Sequence, residues 1–168
     1  MTVAKGDPAV RFEHAAGPYF VFRGANVEVV LASPSGGSPL MEPAGDSGAS
    51  TDLMQRFRRD GIAIDEFSDT VSLDRVYADD FDAAFCVGLP GAVWRPELHT
   101  TAGALIAKLL AAGKPVAVMP SGIDLAPVGT GAGLLIIGDE TKSSIAIARA
   151  LLGAIGQSHI NTRGTCHD

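Results

Sequence analysis

Residues 113–122 read GKPVAVMPSG, in which the apolar run PVAVM (115–119) leads straight into a Pro-Ser-Gly turn. A strand with no polar position has no face for solvent. It belongs inside a sheet covered on both sides, the setting of parallel strands between helical layers. Just ahead of it, residues 99–112 place Leu105, Ile106, Leu109 and Leu110 at helical spacing, with Thr100 or Thr101 as cap and Gly113 as terminator. Helix and strand thus alternate across a short connection, the pattern of an α/β unit.

Outward from this unit the same signature recurs. DFDAAFCVGLPG (80–91) runs from two acids through an apolar strand, 83–87, into a glycine turn. VEVVLA (27–32) is a β-branched run closed by SPSGG, and LLIIG (134–138) reads as a fourth strand. TVSLDRV (70–76) reads as a strand or extended connection. Residues 34–50, rich in Pro, Gly and Ser, read as a loop, and Thr51 or Asp52 caps a short helix to Asp60 with Leu53, Met54 and Phe57 on one face and Gly61 as its stop. A helix over 12–24 leads into the first strand, and its Gly17-Pro18 pair predicts a break there. The last helix spans 142–155, capped by Asp139 or Thr141, with Ile145, Ala148, Leu151, Leu152 and Ile155 along one stripe. Gly156 ends it, leaving 157–168 as a polar, mobile tail. The expectation is one α/β domain over 1–156, a three-layer sandwich with a mostly parallel, flavodoxin-like sheet of four to five strands.

Composition narrows the functional classes. The 168 residues carry a net charge of −6 with a pI near 5.1, which argues against nucleic acid and against an anionic membrane surface as partners. At 46% hydrophobic and 19% charged, the chain has material for a full core. Its most apolar region, 101–119, is interrupted by Lys108 and Lys114, so no membrane span is expected. MTVAKGDPAV has no secretory h-region, and a cytoplasmic location is expected. Cys86, inside an apolar run, and Cys166, near the C-terminus, form neither a disulfide framework nor a metal-ligand spacing. Neither a metal nor another cofactor is expected.

In open α/β sheets, ligands bind beyond the carboxyl ends of the strands. Three such ends stand out: SPSGG after 27–32, GLPG after 83–87 and PSGID after 115–119. The third has the strand–turn–helix position of a nucleophile elbow, where backbone N–H groups form an oxyanion hole. Ser121 there is either a nucleophile, with His14 as the one histidine placed to act as its base, or a capping serine.

EVVLASPSGGSPLMEP (28–43), DFDAAFCVGLPGAVW (80–94) and GKPVAVMPSG (113–122), in this order and spacing, resemble the ThiJ/PfpI superfamily. Within it the similarity is to the chaperone/glyoxalase-like branch, whose fold is related to the class I glutamine amidotransferases. GAGLLIIGDETKSSIAIARALLGAIG (131–156) resembles the family's last strand and helix, so the likeness runs from about residue 12 to 156. The resemblance places the family's nucleophilic cysteine on Pro120 and the following histidine on Ser121. Its oxyanion-hole turn falls on Gly88, Leu89, Pro90 and Gly91, its tryptophan on Trp94, and its cysteine-contacting glutamate on Glu13. It also implies a central strand ahead of that glutamate, and MTVAKGDPAVR has no apolar run to supply one. Strand 27–32 then pairs directly with 83–87, or another segment or chain fills the gap.

A proline at the elbow excludes thiol chemistry there. What the resemblance then implies is a catalytically degenerate member: a small-ligand-binding, accessory or interaction protein, expected to be a homodimer. The pocket would be lined by Gly88, Leu89, Pro90, Trp94, Pro120 and Gly122. The alternative is an enzyme acting on a small carbonyl metabolite, with Glu13 as acid/base and Ser121 beside it. Cys86 is expected to be buried and inert, and Glu13 either faces the pocket or is an ordinary acid in the first turn of a helix.

Overall fold

The structure is a computed structural model that describes residues 10–39, 41–42, 48–89, 101–120, 133–138 and 143–163. Its centre is a parallel three-stranded sheet of β5 (Ala84–Leu89), β6 (Val116–Pro120) and β7 (Leu135–Ile137), in the order β5-β6-β7. Cys86 lies opposite Val118, and Val118 opposite Ile137. Helix α4 (Thr101–Ala111) carries the chain from β5 to β6. It ends at Gly113, whose positive φ of 77° lets the Lys114 and Gly113 amides close back on the Leu109 and Leu110 carbonyls.

The strand period sorts the side chains into two cores. Phe85, Val87, Ala117 and Met119 join one core with α1 (Phe12–Gly24) and α5 (Ser144–Arg163). Cys86, Val116 and Val118 join the other with Ile106, Leu109 and Leu110 of α4 and with Leu73. Both faces of the sheet are therefore covered, and the protein is an α/β sandwich with parallel strands between helical layers.

Helix α1 departs from expectation by running unbroken through Pro18. Proline removes one intrahelical hydrogen bond and crowds the carbonyl four residues back. Here the offset is burial: Ala15 to Phe20 are all buried, and α1 has almost no solvent face. Gly17 lies so close to α5 that a Cβ there would meet Ile145 Cγ1 at 3.2 Å. The end of α5 is likewise revised. Gly156 does not stop the helix, which continues to Arg163; at its start Ser143 accepts from the Ile145 amide at 3.3 Å, and the expected caps Asp139 and Thr141 lie outside the described residues.

The remaining strands are short. β1 (Val10–Arg11) pairs in parallel with β3 (Met41–Glu42), and β2 (Ala32–Ser33) pairs in parallel with β4 (Val71–Ser72). Of the expected strand 27–32, only its last residue lies in a ladder, and its partner is β4, not 83–87. The helix expected from residue 51 or 52 begins at Gly48, giving α2 (Gly48–Arg59). Gly61 marks its end as read, but also opens α3 (Gly61–Ser68), which the sequence reading missed.

Asp60 explains both facts, because it closes one helix and caps the next. Its Oδ1 accepts from the Ala63 amide at 3.0 Å, while Oδ2 accepts from Arg23 Nη1 at 2.9 Å. The same Arg23 nitrogen donates to the Tyr19 hydroxyl at 3.0 Å. Burial, followed by the neighbouring Glu66, pushes the Tyr19 phenol up to about 12, so it stays neutral. The Ala63 amide above all, against the opposing effect of burial and with help from Arg23, holds the Asp60 carboxyl below its ordinary value. A lowered folded-state value means stability present above the unfolded carboxylate range and lost as pH falls through the folded value. Asp60→Asn should therefore lower the melting temperature at pH 7. The gap to the parent protein should close as the pH is taken below about 4, as followed by circular dichroism.

Candidate ligand site at the ends of β5 and β6

Parallel pairing brings the carboxyl ends of β5 and β6 side by side. The register runs one-to-one from Ala84↔Val116 to Val87↔Met119 and then skips Gly88, so that Leu89 lies opposite Pro120. Gly88 is the extra residue of this bulge, with φ of 65° in the left-handed region that glycine adopts without steric cost. The GLPG turn thus starts from a bulged backbone beside the β6 end, the arrangement that re-aims peptide groups at a sheet edge. Gly88 is buried. Leu89 and Pro120 are placed by their backbone pairing, while Pro90, Trp94, Ser121 and Gly122 lie outside the described residues.

Glu13 sits in the first turn of α1, and its Oε2 atom is buried. Its backbone carbonyl accepts from Ser144 Oγ at 3.2 Å, tying this turn to the first turn of α5. One helical turn along α5, Ile147 packs close to Gly138, where a Cβ would run into Met119 Sδ. Met119 is the residue before Pro120. A single turn of α5 therefore links the backbone of Glu13 to the end of β6, and the tight approach at Gly17 is what admits that turn. Glu13 as a whole is half-buried, with this one carboxylate oxygen withdrawn from solvent.

Cys86 is buried as expected, and desolvation pushes its thiol up to about 11. It also points the wrong way for chemistry beside Glu13. Its side chain belongs to the core under α4, whereas Phe12, Ala15 and Ala16 of the Glu13 helix belong to the opposite core. The sheet separates them.

The SPSGG turn after residues 27–32 is engaged within the fold. Thr70 Oγ1 donates to the Gly37 carbonyl at 2.6 Å and lies 2.8 Å from the Ser33 hydroxyl, while Ser72 Oγ donates to the Pro34 carbonyl at 3.3 Å. Its hydroxyls and carbonyls pin β2 to β4. No local pattern marks this role, because Thr70 and Ser72 lie more than thirty residues from the groups they bond. Among the described residues, no group of three His, Cys, Asp or Glu side chains is placed to hold a metal ion, and no helix is long and apolar enough to cross a membrane.

No family profile and no curated protein matches the chain. Two solved structures do match in fold. One is the crystallographic structure of a protein known by a target code alone, with a TM-score of 0.64 and 18% identity over 94% of this chain and 97% of that one. The other is the Francisella tularensis Rapid Encystment Protein of 24 kDa, with a TM-score of 0.64 and 12% identity over 92% of this chain and 97% of that one. At such identities the likeness is one of fold: an α/β sandwich shared along nearly the whole length.

The burial of Cys86 has a direct chemical consequence, because the thiolate and not the thiol is the nucleophile. A Cys166→Ser variant, whose one remaining thiol is Cys86, should not react with Ellman's reagent at pH 8 while folded. It should react with one equivalent once guanidinium unfolds it. Rapid labelling of the folded variant would show that Cys86 is accessible.

Proposed function

We propose that the chain is a catalytically degenerate ThiJ/PfpI-like protein: a small-ligand-binding, accessory or interaction protein without cysteine chemistry, cytoplasmic and homodimeric. The observation that carries this reading is the β6 end, where Pro120 stands opposite Leu89 at the position the resemblance gives to the nucleophile. Proline supplies neither a nucleophilic side chain nor a backbone N–H. The bulge at Gly88 and the half-buried Glu13 leave polar backbone and a carboxyl group in place for binding. Cys86, protonated and on the other face of the sheet, is no substitute for the missing thiol.

The buried Oε2 of Glu13 also favours a second reading, in which this carboxyl acts as acid/base on a small carbonyl compound. One experiment separates the two. Methylglyoxal consumption is followed for the parent protein and for Glu13→Gln and Cys86→Ala variants of matched melting behaviour. The proposal expects no turnover above the uncatalysed rate in any of them. Turnover lost in Glu13→Gln and kept in Cys86→Ala would establish the second reading. Turnover lost in Cys86→Ala would restore cysteine chemistry. Light scattering on the same preparation should give twice the 17.3 kDa chain mass, and a monomer mass would remove the homodimer.

A further inference from the structure

The β2–β4 pair and the three-stranded sheet lie in one layer. Leu31 joins the same core as Phe85 and Val87, while Ala32 joins the core of Cys86 and Leu73. Yet among the described residues no hydrogen bond joins residues 27–33 to β5. Between them is a cavity of about 130 Å³, lined by 27–32 on one side and 83–86 on the other. Its inner walls are sealed from bulk solvent: Phe22, Leu31, Ala32, Phe85, Cys86 and Leu109 are each 8% exposed or less. Its rim includes Val27 and Val30, which are 36% and 38% exposed. Neither Glu13 nor Gly88 lines it, so it is a separate place from the strand-end site.

Strand parity says which backbone groups turn toward this cavity. The Ala84 amide donates to the Pro115 carbonyl, so residues 84 and 86 turn toward β6, and Phe85 turns its N–H and C=O the other way. The Val71 amide donates to the Leu31 carbonyl, so Leu31 turns toward β4, and Ala32 turns its own pair away. Phe85 and Ala32 both line the cavity and are both buried. Buried backbone groups of this kind need hydrogen-bond partners. Above and below, the surfaces are apolar: Tyr19 and Phe22 on one face, Leu73 and Leu109 on the other.

We propose that the cavity binds a single planar ring carrying adjacent N–H and C=O groups, a cyclic amide, lying in the plane of the sheet. Volume sets the size. A cavity of ~150 Å³ holds one benzene ring, so 130 Å³ takes one five- or six-membered ring and not a fused pair. The layers set the shape, since apolar side chains close over both faces and leave hydrogen-bonding groups only around the edge. Backbone chemistry sets that edge. Each strand residue presents a donor and an acceptor on the same side, and a cyclic amide answers them with an acceptor and a donor in neighbouring positions. A wholly apolar ring would leave the Phe85 and Ala32 groups without partners, and a charged ring would give up its hydration to apolar walls. Apolar cover with a few placed polar groups is the usual make-up of a small-molecule site.

The test uses the full chain, isotopically labelled for NMR, and three probes of one ring each. These are 2-pyridone, its isomer 4-pyridone with N–H and C=O at opposite ends, and benzene with neither. Titration with 2-pyridone should shift the Phe85 and Ala32 amides saturably. Its binding should be about tenfold or more tighter than that of either other probe, the equivalent of one hydrogen bond. Through-space contacts from its ring protons should reach Phe22 on one face and Leu109 on the other. Filling the cavity should abolish the binding, by Ala15→Leu from the buried wall and, should that variant not fold, by Ala84→Leu from a half-buried position. Equal binding of the two isomers, or benzene binding as tightly as 2-pyridone, would mean apolar filling without the edge contacts and would overturn the proposal. So would binding of none of the three. Shifts centred on Gly88 in place of Phe85 and Ala32 would put the ring at the strand-end site, and undiminished binding by a folded, filled variant would put it elsewhere; either result overturns the proposal as well.

Discussion

Val116, Ala117 and Val118 have no exposed surface, although their side chains alternate to opposite sides of β6. That constraint organises the fold. A strand dry on both faces needs a helical layer on each, and neighbours that complete its backbone hydrogen bonds, so β5 and β7 flank it while α4 closes one side and α1 with α5 the other. It also decides where chemistry can be placed. With both faces and both edges of β6 covered, its polar backbone leaves the ladder only at the strand ends, and the bulge at Gly88 shapes the β5 backbone beside one of them.

Helix α1 shows what such sealing asks of a sequence. Packed against α5 and α2 on one face of the sheet, it has so little solvent surface that amphipathic patterning disappears, and small or rigid residues take over at the contacts. Gly17 admits α5, and Pro18 is kept in mid-helix because the packing of Phe12, Tyr19, Phe20 and Phe22 outweighs a lost hydrogen bond. The same close approach brings Ser144 onto the Glu13 carbonyl. A helix-packing requirement thus ties the Glu13 backbone to the first turn of α5.

Several of these features are legible in the residue order. The all-apolar runs at 83–87, 115–119 and 134–138 announce buried parallel strands, and Gly113 announces a helix end, because each depends on local pattern. The errors arise where tertiary context overrides pattern. VEVVLA has β-branched composition, yet Val27 and Val30 remain exposed and only Ala32 enters a ladder, since a strand needs a partner edge as much as propensity. Pro18 and Gly156 look like helix breakers until neighbouring helices bury one and φ stays helical at the other. Helix α3 was hidden because Gly61 signals a stop, while the side chain that restarts the helix, Asp60, owes its geometry partly to Arg23 from α1, 37 residues earlier. At the site, the strand ends were legible as positions. The burial of Glu13 Oε2 and the engagement of SPSGG by Thr70 and Ser72 were not, because both depend on contacts between segments distant in sequence.

The separation of Cys86 from Glu13 bears on the difference between a reactive side chain and the backbone that surrounds it. A nucleophile at a strand end is set by one side chain, whereas the pocket around it is set by backbone register, a bulge and helix packing. Pro120 brings no nucleophilic side chain to the strand end, and as the last residue of β6 it sits where a lost donor is tolerated. A cysteine inside the neighbouring strand cannot migrate into the role. Strand alternation sends residue 86 to the α4 side, and only a one-residue slip of β5 would turn it toward α1, at the cost of exchanging Phe85 and Val87 between cores. The register that holds the sheet together is therefore also what keeps the Cys86 side chain on the α4 side, apart from the core that α1 and α5 share with the sheet.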